Sequence, residues 1–183
     1  MASVLVPLAP GCEELEAVSV IDLLRRAGVE VVTAGLDEAP VHASRGTVLL
    51  PDVPLDAVKD REFDMIVLPG GQPGANNLAA DQRIRDILTR MAKAGRYTAA
   101  ICAGPKVLAG AGLLDNRRAT SFPGAIDESA IPGLDYSTEA VVTDGTVVTS
   151  RGPGTAMDFA LHLIEILVDK AKRDEVESAL QRP

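Results

Sequence analysis

Tryptophan is absent from this 183-residue chain, and aromatic residues of every kind make up only 3% of it. The core must therefore be built from aliphatic side chains, which dominate an apolar fraction of 46%. That fraction excludes a disordered chain, and the length suits one domain spanning residues 1–183. Positive charge is in deficit. Against 26 Asp and Glu stand 18 Lys and Arg, a net charge of −8, which argues against nucleic acid or an anionic membrane as partner. No apolar run approaches bilayer length, and Met1 leads straight into a short apolar strand without a basic leader, so the expected location is the cytoplasm. Cysteine is scarce: Cys12 and Cys102 cannot make a disulfide framework and suit a reducing compartment. The cysteines and the two histidines, His42 and His162, are not spaced as metal ligands. There is no Walker lysine and no three-glycine dinucleotide fingerprint, so neither metal nor cofactor is expected.

What is present is an alternation of short apolar runs with helical periods. Strands are expected at 4–8, 29–34, 65–68 and 97–101, and a pair at 141–150 turns at Asp144-Gly145. Helices are expected at 13–27, closed by Gly28, at the Ile84, Ile87, Leu88, Met91 stripe, at 105–111, and from Gly152-Pro153-Gly154 to about Val168. A charged helix follows, and residues 115–133 read as an irregular excursion. This order predicts an α/β fold whose mostly parallel sheet is covered on both faces, with ligands bound beyond the carboxyl ends of the strands. Pro10-Gly11, Pro69-Gly70-Gly71 and Ala103-Gly104 all fall at such ends.

Cys102 closes the strand 97–101 and is followed at once by small residues and a helix. On a sharp strand-to-helix turn its sulfur would face free N–H groups, which favour a thiolate nucleophile. A buried structural cysteine is the alternative. Glu16 falls on the apolar arc formed by Val20, Leu23, Leu24 and Ala27 when 13–27 is wound as a helix, whereas Glu14, Asp22 and Arg25 fall opposite. Glu13 also lies near that arc, at the first turn. A buried carboxyl takes up a proton or finds a partner, so Glu16 is either a protonated donor beside Cys102 or a first-turn glutamate held by its own helix dipole. The Gly70-Gly71 turn can supply an N–H to an oxyanion together with Ala103, or be merely a flexible turn. His162 lies in the polar stripe of Asp158, Glu165 and Asp169 and is expected in water, and His42 sits on a hairpin segment. Cys12 opens the first helix, and Arg45 and Arg151 are candidate anion ligands.

Five ordered segments carry a resemblance over nearly the whole chain: residues 10–16, 22–28, 67–71, 99–105 and 149–155. On them the sequence resembles the ThiJ/PfpI superfamily, on the branch of YajL-like proteins and the parkinsonism-associated deglycases. The resemblance implies a flavodoxin-like three-layer sandwich forming a homodimer. It implies Cys102 as an oxidation-prone nucleophile, Glu16 as its protonated partner, the Gly71 and Ala103 amides at the reacting oxygen, and Arg45 reaching the site from the partner subunit. Two departures stand out. Ala103 occupies the position of the histidine that follows the cysteine in the protease-like branch, which removes the base of a Cys-His protease. Phe122 replaces a histidine of the animal deglycases.

The expected activity is that of a glyoxal-handling enzyme, a glutathione-independent glyoxalase or protein deglycase acting on small dicarbonyls or on glycated amines and thiols. The rival expectation is an oxidative-stress sensor and holdase chaperone working through oxidation of Cys102.

Overall fold

The computed structural model describes residues 1–182. In chain order the elements are β1 (Ser3–Leu8), α1 (Glu14–Arg26), β2 (Glu30–Gly35), β3 (Val41–His42), β4 (Val48–Leu49), β5 (Val53–Pro54), β6 (Met65–Leu68), α2 (Gln72–Ala80), α3 (Gln82–Lys93) and β7 (Tyr97–Ile101). There follow α4 (Pro105–Gly110), β8 (Arg118–Ala119), β9 (Asp135–Tyr136), β10 (Val141–Asp144), β11 (Val147–Ser150), α5 (Ala156–Leu167) and α6 (Lys170–Ala179). The main sheet is seven-stranded in the order β10-β11-β7-β6-β1-β2-β5, parallel except for the β10–β11 hairpin. The expected α/β fold with a mostly parallel, flavodoxin-like sheet is what the chain forms.

Strands β1, β6 and β7 are buried almost throughout, as a sheet covered on both faces requires. Pro7 has no N–H to give to a ladder, and β1 pairs with β6 only at Val4 and Leu5, before the chain reaches it. One layer packs α1 against α5 and α5 against α6, and the other packs α2 against α3 and α4. Right-handed crossovers put these layers on opposite faces, because β1→β2 and β6→β7 run in opposite directions across the sheet. The direction reverses between β1 and β6, and that switch point is where such sheets open a crevice.

Helix α1 buries Glu16, Ala17, Val20, Leu23 and Leu24. It carries acids in its first turn and Arg25 and Arg26 in its last, matching the helix dipole. Gly28, at φ +77°, ends it as the sequence indicates. Helix α2 has no counterpart among the sequence expectations. Its apolar residues are too few for a clear period, and only Pro73 near its start marks it. Among the described residues no helix is long and apolar enough to cross a membrane.

Candidate active site

The turns that follow β1, β6 and β7 meet at the switch point. Cys102 leaves β7 with φ +63°, a left-handed conformation that non-glycine residues rarely hold. Its N–H donates to the Ser150 carbonyl at 3.0 Å, and its carbonyl accepts from the Phe122 N–H at 2.9 Å. Pinned on both sides, the residue turns its side chain away from the ladder, as a nucleophile elbow does. Its sulfur is nearly covered, with 9% of the residue exposed.

Glu16 is fully buried on the inner face of α1. Its Oε2 accepts from the Gly70 N–H at 2.8 Å. Its Oε1 has no hydrogen-bond partner, and the Cys102 sulfhydryl lies beside the carboxyl group. A Cβ at Gly70 would stand 2.5 Å from Cys102 Cβ, 2.7 Å from Glu16 Oε2 and 2.9 Å from the Ala103 nitrogen. These groups crowd around one Cα, so only glycine fits there.

The electrostatics follow from this burial. Desolvation pushes the Glu16 carboxyl up to about 7, against the downward pull of Cys102 and the Gly70 N–H, and the Glu13 charge adds to the rise. Desolvation also pushes the Cys102 thiol up, to about 12 beside a charged Glu16, while the Gly71 and Ala103 N–H groups pull it down. Burial and a charged Glu16 thus oppose the thiolate that the sequence leads one to expect, while the two amides favour it. Helix α4 is only six residues long and its cap is Gly104, so its dipole does not outweigh burial. Burial raises both groups and each acts on the other across the contact, so the two titrate as a coupled pair.

Other expectations need adjustment. Gly70 does not offer its N–H to a reacting oxygen, because Glu16 already holds it; the free donors are the amides of Gly71 and Ala103. Cys12 is fully buried, which fits a core role, and burial followed by the Glu14 charge pushes its thiol up to about 11. His162 lies, as expected, on the solvent-facing side of α5 with Asp158 and Glu165, half-buried and with Nε2 at 2.7 Å from Thr143 Oγ1. His42 is exposed, and its carbonyl accepts from the Gly11 N–H. Arg45 is exposed, its Nε 3.9 Å from Glu13 Oε2. Arg151 is half-buried and lines a cleft with Phe122 and Pro153.

Sequence reasoning missed Ser150, whose carbonyl fixes Cys102, and Ser44, whose hydroxyl donates to Glu13 at 2.9 Å and to Glu14 at 3.1 Å. No local pattern marks either. Glu13 had a signal in its nearness to the apolar arc.

A parallel α/β sheet, a cysteine on a strained elbow at its switch point and a buried carboxyl beside the sulfur define a class of cysteine-centred α/β proteins. The comparisons make the assignment specific: residues 2–166 match the model of the DJ-1/PfpI family, and the chain belongs to that family. It is 42% identical to protein dj-1beta of Drosophila melanogaster over 97% of this chain and 96% of that protein. It is 38% identical to the glutathione-independent glyoxalase DJR-1.2 of Caenorhabditis elegans, over 95% of this chain and 93% of that one. The crystal structure of Drosophila melanogaster DJ-1beta superposes with a TM-score of 0.93 at 40% identity, covering 100% of this chain and 98% of the other.

Proposed function

We propose that the protein is a cysteine-dependent glyoxal-handling enzyme, acting on methylglyoxal or on the adducts that such dicarbonyls form with amines and thiols. The observation that carries this reading is the buried Glu16 carboxyl, bound on one oxygen by Gly70 and set beside Cys102. The relative named as a glyoxalase supports it. With its proton on Glu16, the Cys102 thiolate adds to the aldehyde carbon of methylglyoxal. A C–S bond forms and the carbonyl electron pair moves to oxygen, where the Gly71 and Ala103 N–H groups stabilise it. Glu16 protonates that oxygen, and its carboxylate then takes the proton from the former aldehyde carbon and returns it to the neighbouring carbon, while the hydroxyl proton passes to the former ketone oxygen. The aldehyde carbon is thereby oxidised and the ketone carbon reduced, so no outside oxidant is needed. The resulting thioester is cleaved by water, which releases lactate and restores the thiol. A hemithioacetal or aminocarbinol would enter the same site as a deglycase substrate.

We further propose that the protein acts in the cytoplasm as a homodimer, with Arg45 directed toward the partner's site. Leu15 and Val18 of α1 and Val48 and Leu50 of the hairpin arm are all strongly exposed. Val18 and Leu50 also line one groove between the arm and α1. A large apolar surface of this kind favours association.

The test is lactate formation from methylglyoxal in a buffer free of amines, by the native protein and by Cys102→Ala. We expect the variant to lose turnover, and equal rates would end the enzymatic reading. A second reading, a sensor acting through Cys102 oxidation, is favoured by the same two amides, which would receive the oxygens of a sulfinate. A gain of two oxygens on Cys102 under mild peroxide, without turnover of any dicarbonyl, would select it.

A further inference from the structure

We propose that the cleft between Phe122 and Arg151 is the subsite for the non-reacting part of the substrate, and that it selects carbonyl compounds whose apolar body ends in a carboxylate. The inference rests on the reading of Cys102 as the group that attacks a carbonyl, and it names the class of molecule brought to that sulfur. The cleft has a volume of about 260 Å³ and runs between the turn at Phe122 and Pro123 and the loop from Arg151 to Thr155. Both walls are tied to the elbow. The Phe122 N–H donates to the Cys102 carbonyl at 2.9 Å. The Cys102 N–H donates at 3.0 Å to the carbonyl of Ser150, the residue before Arg151. The space exceeds what methylglyoxal needs, so a larger substrate would bury apolar surface in it.

The walls are fixed by their own hydrogen bonds. Thr155 Oγ1 accepts from the Gly152 N–H at 3.2 Å and lies 2.7 Å from Ser150 Oγ, which donates to the Ala140 carbonyl at 2.7 Å. Opposite, the Ala125 N–H donates to the Phe122 carbonyl at 2.9 Å. The Phe122 ring is seated over Gly152, where an added Cβ would stand 3.3 Å from its Cδ2. Phe122 is nevertheless 48% exposed. A seated ring with that much surface in water gains when an apolar body covers it. Arg151 supplies the charge. It is half-buried, and among the described residues its guanidinium has no ion pair and no hydrogen bond. The Arg151 N–H donates to the Ala140 carbonyl at 3.3 Å, and the adjacent acid, Glu139, is spent on Arg118 at 2.7 Å. In a chain of net charge −8, a guanidinium without a carboxylate is open to an incoming one, which it can hold by two parallel hydrogen bonds.

Alkylation of Cys102 reads the subsite whether or not a dicarbonyl turns over, so failure here is distinct from failure of the lactate test. The protein is labelled with the para-carboxylate of iodoacetanilide, with its para-carboxamide and with plain iodoacetamide. Each rate at the Cys102 peptide is followed by mass spectrometry and divided by the rate of the same reagent with mercaptoethanol. We expect the native protein to prefer the carboxylate over the carboxamide roughly threefold to tenfold, against its own net negative charge. Arg151→Gln should abolish that preference, and Arg151→Lys should keep part of it. Phe122→Ala leaves the backbone bond to Cys102 in place and should slow both aryl reagents about threefold relative to iodoacetamide. The native preference decides the matter if a variant does not fold. Equal rates for the two aryl reagents in the native protein, or a preference that survives Arg151→Gln, would overturn the proposal.

Discussion

Two carboxylates in the first turn of α1 meet opposite fates. Glu16 points inward and is fully buried, with one N–H donor, and burial pushes it up to about 7. Glu14, two residues earlier, points to the hairpin arm. There desolvation, the largest single influence, pushes it up, but its own N–H, the Arg45 and Thr47 amides and the Ser44 hydroxyl together outweigh that push, and it falls to about 2. Both sit at the positive end of the same helix dipole, so the dipole does not separate them. What separates them is the number of donors that meet each carboxylate and the water each has lost. The helix thus holds one acid poised to carry a proton near neutrality and another that stays ionised as a clamp.

The largest effect should come from removing the proton carrier. Glu16→Gln keeps an acceptor for the Gly70 N–H but cannot ionise. If the proposed reaction holds, turnover should fall about a hundredfold or more, the scale of a lost general acid–base group. Stability should move the other way. The folded-state value of Glu16 lies above its unfolded value of 4.5. The native protein therefore binds the extra proton, and its stability falls as pH rises from about 4.5 to about 7. The variant escapes that loss. Urea unfolding should find it equal to the native protein near pH 5 and more stable near pH 9, by on the order of 2 kcal/mol. Equal stabilities at both pH values would mean that Glu16 is not a buried ionising group.

Gly70 is the single donor on the buried side of the comparison, and Gly70→Ala should rank next. The added methyl group would overlap Cys102 Cβ and Glu16 Oε2, so either the elbow or the carboxyl must shift. We expect a loss of roughly 1–3 kcal/mol in unfolding free energy, the usual cost of overpacking. Cys102 alkylation should become less pH-dependent as the carboxyl leaves the sulfur. A fully native alkylation profile would show that the crowding at Gly70 is not what couples the two groups.

How far these features were legible in the sequence follows from their range. The Cys102 elbow shows in a window of nine residues, because a buried strand, a cysteine and small residues are contiguous. Glu16 shows through helical geometry alone, since its burial is fixed by the arc it shares with Val20, Leu23 and Leu24. The strand order around them follows from alternating elements. How far burial opposes the thiolate was not legible, because a local window displays the helix dipole but not the depth of burial. The assignment of Gly70 failed because the direction of its N–H depends on Glu16, 54 positions away. Ser44 was invisible for the same reason, being bound to Glu13 across 31 positions.

The smallest effect belongs to the exposed side of the comparison. Glu14→Gln removes the charge that receives the Arg45 and Thr47 amides but leaves Glu16 and Cys102 in place. Turnover at neutral pH should change by no more than a few-fold. The hairpin arm should loosen, and amide hydrogen exchange at residues 44–47 should speed up while exchange in β6 and β7 stays as before. The sign with pH is the reverse of that for Glu16. A carboxylate held at about 2 stabilises the fold fully above its unfolded value of 4.5 and loses that contribution as pH falls toward 2. The exchange difference between native protein and variant should therefore be present at neutral pH and vanish in strong acid. If exchange in the arm is untouched at neutral pH, Glu14 does not clamp it, and the contrast between the two acids reduces to burial alone.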